Sequence, residues 1–186
     1  MAAFALHEHQ QAHAFWPLLP FCLCLAYEKI GRGSLILRHV LIPLMFASGI
    51  MFVSSIVGHP EKGAFPAAIA MLFVSVLRFT LDIEEDVFEN HADQNGLEVH
   101  HHYRSRLAVA AIIFFLFGTV SLWPWLGTIY GQGYFWLLLC GVLLPLVFFW
   151  GRIRQPKMEG ARTALIRFNR VAPVLGFIHI LAILVA

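Results

Sequence analysis

Charged residues are scarce in this chain. Lysine, arginine, aspartate and glutamate make up 13% of its 186 residues, whereas soluble domains carry about 25%. Hydrophobic residues make up 59%, and several apolar runs continue almost without interruption. The composition excludes an ordinary water-soluble domain and predicts an integral membrane protein.

Cysteines and catalytic motifs are also few. Cys22, Cys24 and Cys140 all lie inside hydrophobic runs, which argues against a disulfide framework and against a thiolate metal site. The N-terminus lacks a basic region followed by a small-residue cleavage site, so no signal peptide is predicted. No phosphate-binding loop, nucleophile elbow or HExxH motif is present. The formal net charge is only +2. The basic residues of the chain flank apolar runs and are predicted to form no solvent-exposed patch, so a nucleic-acid partner is not expected.

The apolar runs predict an all-α integral membrane protein, a single domain built as a bundle of five or six transmembrane helices. Five runs are close to the ~20 residues that cross the hydrocarbon core. These five predicted spans are 35–57, 64–83, 107–126, 134–150 and 171–186. A sixth run, 14–27, is shorter and contains Pro17 and Pro20, so both a span and a re-entrant half-helix remain open.

Basic residues alternate between the predicted loops. Loops 28–39, 84–106 and 151–170 hold three, two and six of them, whereas 58–63 and 127–133 hold only Lys62. Because cytoplasmic loops are enriched in lysine and arginine, the three basic loops are predicted to be cytoplasmic. The C-terminus is then outside, and the expected location is a bacterial inner membrane.

One long polar segment, residues 82–106, interrupts the apolar pattern. It holds seven of the eleven acidic residues and four of the ten histidines. Helical pattern continues from Ala64 to about His91, and the first strong turn signal is Asn95-Gly96. We therefore expect a cytoplasmic helical hairpin that extends the bundle and reverses near Asp93–Gly96.

The hairpin carries a pattern that is typical of carboxylate–histidine metal sites. Glu98 and His101 form a Glu-x-x-His pair like those of di-iron bundles, and Glu85 and Glu89 share one face of the other arm. The predicted ligands are Glu85, Glu89, Glu98, His101 and His102, a set that suits iron, manganese or zinc. Only one such pair is present, so a complete di-iron site would need a second copy of the chain. We favour a solvated loop that faces a partner, and the metal site and a histidine-based pH sensor are the alternatives.

Three ionisable residues within the predicted spans are candidates for a role inside the membrane: Arg78, Asp82 and His179. Arg78 and Asp82 are four residues apart, which predicts an ion pair along one helix face. His179 lies about halfway along the last span, where a titratable group is a functional candidate by default. The alternative is a neutral histidine hydrogen-bonded to a neighbouring helix. Haem b is not expected, because no second histidine matches the depth of His179.

Two further patterns concern helix packing. Gly49, Gly58 and Gly118, with serines nearby, predict close helix contacts. The basic connector contains an amphipathic stripe of Met158, Ala161, Ala164, Leu165, Phe168 and Ala172, with Arg162, Asn169 and Arg170 on the opposite side. This pattern predicts a helix lying on the cytoplasmic leaflet, with Arg162, Arg167 and Arg170 near anionic headgroups, before it bends into the last span. A docking surface for a cytoplasmic partner is the alternative.

Two classes of function fit these features. The first is a membrane subunit or accessory factor of a larger inner-membrane assembly for transport, secretion, transfer or respiration. Its partners would be membrane lipids together with other proteins or further copies of the chain. The second is a small metal-dependent membrane enzyme acting on a lipidic or quinone-like substrate at the cytoplasmic surface. A transporter component is a third option, but it would need a polar pocket in the middle of the membrane.

Overall fold

The computed structural model describes residues 18–29, 35–57, 59–85, 96–154 and 158–185. Within these ranges every regular element is helical and no strand occurs. We label residues 18–29 α1, and the remaining elements follow in chain order. They are α2 (Leu35–Ile56), α3 (Pro60–Ile83), α4 (Gly96–Leu126), α5 (Gln132–Leu138), a π-helical turn (Leu139–Leu143), α6 (Leu144–Ile153) and α7 (Met158–Val185).

Five stretches of the described chain are helical, long and apolar enough to cross a membrane. They are Leu37–Ile56, Lys62–Ile83, Tyr103–Leu126, Gln132–Ile153 and Gly160–Ile183. The predicted all-helical class and five long apolar helices are therefore confirmed. Residues 18–27 of the shorter predicted run belong to α1, and residues 14–17 lie outside the described residues.

Helix α4 begins at Gly96, next to the turn predicted at Asn95-Gly96. The returning arm of the predicted hairpin and the following span are thus one continuous helix, because no proline or glycine separates Leu97 from Leu107. The outgoing arm beyond Glu85 lies outside the described residues.

The chain divides within α3 into two compact units, residues 1–75 and 76–186. In the first unit, α2 and the start of α3 approach closely at Ser54 and Gly63. A Cβ atom added to Gly63 would collide with the side chain of Ser54, so this contact requires glycine. Gly49 and Gly118, which the sequence pattern assigned to close contacts, have open space where a Cβ would stand. That prediction was wrong for both residues, and Gly58 lies outside the described residues.

The second unit contains the end of α3 and all of α4 to α7. Helix α4 runs antiparallel to the α5–α6 segment, since hydrogen bonds join residue 121 to 134 near one end and 103 to 153 near the other. Helix α7 runs back along α5 and α6, with Phe149 of α6 against Phe168. The buried residues of α7 include Ala161, Leu165, Ala172 and Ala182, small or aliphatic side chains that let neighbouring helices come close.

The π-helical turn lies just before Pro145. In a regular α-helix the proline ring would clash with the carbonyl group four residues earlier, at Gly141, and could not donate a hydrogen bond to it. Widening the helix at Leu139–Leu143 lets it continue past the proline, and such turns often lie at functional sites. A Cβ atom at Gly141 would stand 2.6 Å from Cγ2 of Ile178, so the turn also brings α7 close.

The loop between α4 and α5 closes the end of α4 with backbone hydrogen bonds. The amide groups of Gly127 and Ile129 donate to the carbonyl oxygens of Trp123 and Pro124, each at 2.8 Å. Thr128 has a φ of 57°, a left-handed conformation that a β-branched residue rarely adopts. Burial raises the pKa of Tyr130, in the same loop, above its ordinary value of 10.0, so its hydroxyl stays protonated at neutral pH.

Candidate functional site

The charged residues of the second unit gather where four helix ends meet. Helices α3 and α6 end there, and α4 and α7 begin there. We call this region the arginine-rich end and define it by Arg104, Arg106, Arg152, Arg154, Arg162, Arg167 and Arg170, all exposed or half-exposed. Residues 107–151 contain no charged residue, nor do residues 171–186. The second unit is therefore charged at one end and apolar along the rest of its length.

A buried tyrosine holds α4 to α6 at this end. The Tyr103 hydroxyl donates a hydrogen bond of 2.5 Å to the carbonyl oxygen of Ile153, and both residues are at most 3% exposed. The carbonyl of Ile153 belongs to the last turn of α6, where backbone acceptors lack a partner within the helix. Tyr103 therefore fixes the end of α6 and sets the positions of Arg152 and Arg154 beside it.

A second polar contact joins α3 to α7. The Asn169 side-chain amide donates a 2.6 Å hydrogen bond to Oε2 of Glu84. The Thr80 hydroxyl lies 2.8 Å from both the Asn169 Oδ1 and the carbonyl oxygen of Leu77, so its single proton is shared between two acceptors. The sequence pattern placed Asn169 on the exposed side of α7. That placement was wrong, because Asn169 is half-buried and faces α3.

Arg78 and Asp82 form the predicted ion pair, with Nη2 and Oδ1 3.2 Å apart. Their side chains are 19% and 4% exposed, so the pair lies mostly within the protein. Breaking a buried ion pair costs about 3–5 kcal/mol, because one charge then loses its compensation. This pair explains how α3 carries two charged residues in an apolar segment.

The predicted metal ligands are not brought together within the described residues. No three side chains of histidine, cysteine, aspartate or glutamate form a metal-binding group there. Glu85 is exposed at the end of α3, and Glu89 lies outside the described residues. Glu98, His101 and His102 lie in the first turns of α4, but their side chains are also outside the described part. The carboxylate–histidine metal site therefore stays a prediction.

The amphipathic stripe of the basic connector is present but packs against protein rather than lipid. Ala161, Ala164, Leu165, Phe168 and Ala172 are buried, while Arg162, Arg167 and Arg170 on the other side are exposed. The connector does not form a helix separate from the last span, because Met158–Val185 is one helix with Pro173 inside it. The spacing of an apolar stripe predicts that one face of the helix is buried. It does not show whether lipid or a neighbouring helix buries that face.

A different polar cluster lies inside the second unit, away from the arginines. His179 of α7 is 4% exposed and packs edge-on against Phe117 of α4, with ring centroids 5.4 Å apart. The Tyr134 ring of α5 lies 6.5 Å from the imidazole, and its hydroxyl donates a 2.6 Å hydrogen bond to the carbonyl oxygen of Ser121. The sequence singled out His179, but neither Tyr134 nor Ser121 carried a signal that marked it as a neighbour.

Two side-chain atoms of this cluster have no hydrogen-bond partner among the described residues. They are Nε2 of His179 and Oγ of Ser121, and both are buried. An unsatisfied buried polar atom costs about 1–3 kcal/mol. The hydrogen bond that sequence reasoning allowed between this histidine and a neighbouring helix is therefore not formed at Nε2.

The first unit offers a shallow groove along α2 with a volume of about 490 Å³. It is lined by Met45, Phe46, Gly49, Ile50, Val53 and Ser54, so Ser54 supplies its only polar side chain. Such a surface suits an acyl chain or an apolar helix better than a polar substrate. The groove therefore lends no support to the transporter interpretation.

Comparison with protein-family models, curated proteins and solved structures found no match to this chain.

Proposed function

We propose that this chain is a non-catalytic, multi-pass subunit or accessory factor of a larger inner-membrane assembly. Its arginine-rich end and the neighbouring polar segment 84–102 would face the cytoplasm and contact the partner. Five helices of suitable length and apolarity support membrane insertion. The positive-inside rule supports the orientation.

The observation that carries the proposal is how the second unit uses its polar side chains. Tyr103, Asn169 and Tyr134 join one helix to another, and Arg78 pairs with Asp82. These side chains hold the bundle together, and few other polar side chains inside the described helices are left for chemistry. Exposed charge is concentrated at one end instead, which is the distribution expected of a membrane subunit that meets its partner at the membrane surface.

Photocrosslinking in the native membrane tests this proposal. A photoreactive phenylalanine analogue is placed at Arg104 or Arg154 at the arginine-rich end, and at Gln132 or Gly133 at the opposite end. All four positions are exposed. We expect both positions at the arginine-rich end to crosslink the same protein, and the two control positions not to crosslink it. Equal crosslinking at both ends, or none at the arginine-rich end, would contradict the proposal.

Metal analysis of the detergent-purified protein separates this function from the metal-enzyme hypothesis. A subunit without a metal centre should contain less than about a tenth of an equivalent of iron, manganese or zinc, far below the full occupancy of a catalytic centre. A stoichiometric metal that is lost on replacing Glu98 and His101 would favour the enzyme.

A further inference from the structure

We propose that one water molecule is bound between α4, α5 and α7, where it bridges Nε2 of His179 and Oγ of Ser121. The proposal concerns the interior of the second unit and does not depend on the partner proposed above. It starts from two polar atoms that are buried without a partner among the described residues. Both belong to one packing cluster, because Phe117, which contacts the imidazole, lies one helical turn from Ser121 on α4.

The Ser121 hydroxyl differs from four other hydroxyl groups in these helices. Ser48, Ser75, Thr80 and Thr119 each donate to a carbonyl oxygen three or four residues earlier in their own helix. Serine in an apolar helix ordinarily satisfies itself in this way. Ser121 is 0% exposed yet makes no such bond, so its hydroxyl remains available to a ligand in the core.

The chemistry of the two atoms selects the ligand. A neutral imidazole nitrogen is either a donor or an acceptor, and a hydroxyl is both. Water can donate two hydrogen bonds and accept two, so it satisfies this pair with either tautomer of His179. Buried waters in proteins typically occupy such places, where polar groups lack another partner.

The packing around the cluster restricts the size of the ligand. Phe117, Tyr134 and Leu138 are each 0% exposed. On the far side, the π-helical turn already brings Gly141 against Ile178, the residue before His179. A ligand as large as a quinone ring or a lipid headgroup would need these side chains to move, so the ligand must be small.

Solid-state NMR of the full chain in lipid bilayers tests the site. With ¹⁵N-labelled histidine, magnetisation is transferred from water protons to the ring nitrogens, and the His179 signal is identified by its loss in His179→Gln. We expect transfer to His179 although it is buried, with exposed His59 as the positive reference. Ser121→Ala should weaken that transfer by about threefold or more, because the water loses one of its anchors.

Ser55→Ala is the matched control. Ser55 also has a buried Oγ without a partner among the described residues, but it belongs to α2 in the first unit, and its replacement should leave the His179 signal unchanged. Absence of transfer to His179 in the native chain, under conditions where His59 shows it, would overturn the proposal. An undiminished signal in Ser121→Ala would overturn the bridge as well. The native measurement decides the matter even if a variant fails to fold.

Discussion

At the scale of single residues, Thr128 has a backbone conformation that its side chain disfavours. Thr128 adopts a φ of 57°. The residues on either side of it donate backbone hydrogen bonds to the end of α4, and these bonds restrict its backbone conformation. The left-handed conformation costs a β-branched residue roughly 1 kcal/mol, whereas glycine adopts it without penalty. The strain is local, and Thr128 is exposed, so no packing is lost when it is replaced.

We therefore expect Thr128→Gly to be neutral or to stabilise the protein by up to about 1 kcal/mol. Thr119→Gly is the control, since Thr119 is also exposed but lies within α4. Glycine there should destabilise by about 0.3 kcal/mol, the difference between the helix propensities of threonine and glycine. The midpoints of thermal unfolding in detergent measure both effects. If Thr128→Gly lowered the midpoint as much as Thr119→Gly, the strain at Thr128 would not exist.

Asn169 is the residue whose role sequence reasoning misjudged most clearly. Asn169→Leu preserves the approximate size of the side chain but removes its contacts with Thr80 and Glu84. Two hydrogen bonds are lost, one of them to a carboxylate, so we expect a loss of about 2 kcal/mol in the free energy of unfolding.

The neighbouring exposed position provides the comparison for Asn169. Arg170→Leu should change the same free energy by less than about 0.5 kcal/mol, because Arg170 lies on the exposed side of α7. Thermal unfolding of both variants is the measurement. Equal effects would mean that the contact between α3 and α7 contributes nothing to stability.

At the scale of helices, a glycine determines how closely the segment from α5 to α6 meets α7. Gly141 lies in the π-helical turn just before Pro145, and it lets Ile178 approach to 2.6 Å from where a Cβ would stand. Sequence reasoning recognised glycine as a residue of close contacts, but it selected Gly49 and Gly118. The rotation of each helix about its axis determines which of its glycines faces a neighbouring helix. The sequence of a helix that is apolar on all sides does not indicate that rotation.

Gly141→Ala tests this contact. The added methyl group must displace the branched side chain of Ile178, so we expect a destabilisation of about 1–3 kcal/mol. Gly118→Ala has open space around the new Cβ and should stabilise α4 by about 0.5–1 kcal/mol. Opposite signs in thermal unfolding are expected, and a stabilising Gly141→Ala would show that α7 does not pack against the turn.

At the scale of the whole molecule, the asymmetry of charge predicts the membrane orientation. Single cysteines at Arg154 and at Gln132 report on opposite ends of the second unit, and both positions are exposed. The native cysteines Cys22, Cys24 and Cys140 are also exposed and must first be replaced by serine. In intact cells, we expect a membrane-impermeant maleimide to label the cysteine at Gln132 but not the one at Arg154.

Permeabilised cells provide the control for this labelling, because both cysteines should then react. Labelling of Arg154→Cys alone in intact cells would reverse the orientation. The proposed cytoplasmic contact would then be wrong as well.

The amino-acid sequence alone determined the helical class, the five long apolar helices and the pairing of Arg78 with Asp82. These properties depend on local spacing and on hydrophobic run length, which a linear pattern contains. Only the tertiary structure decided that the apolar stripe of α7 packs against protein, that Asn169 faces α3, and that His179 shares its surroundings with Ser121 and Tyr134. Those facts depend on which faces of separate helices meet, and because lipid and protein interiors are equally apolar, composition cannot distinguish a face that meets lipid from one that meets another helix.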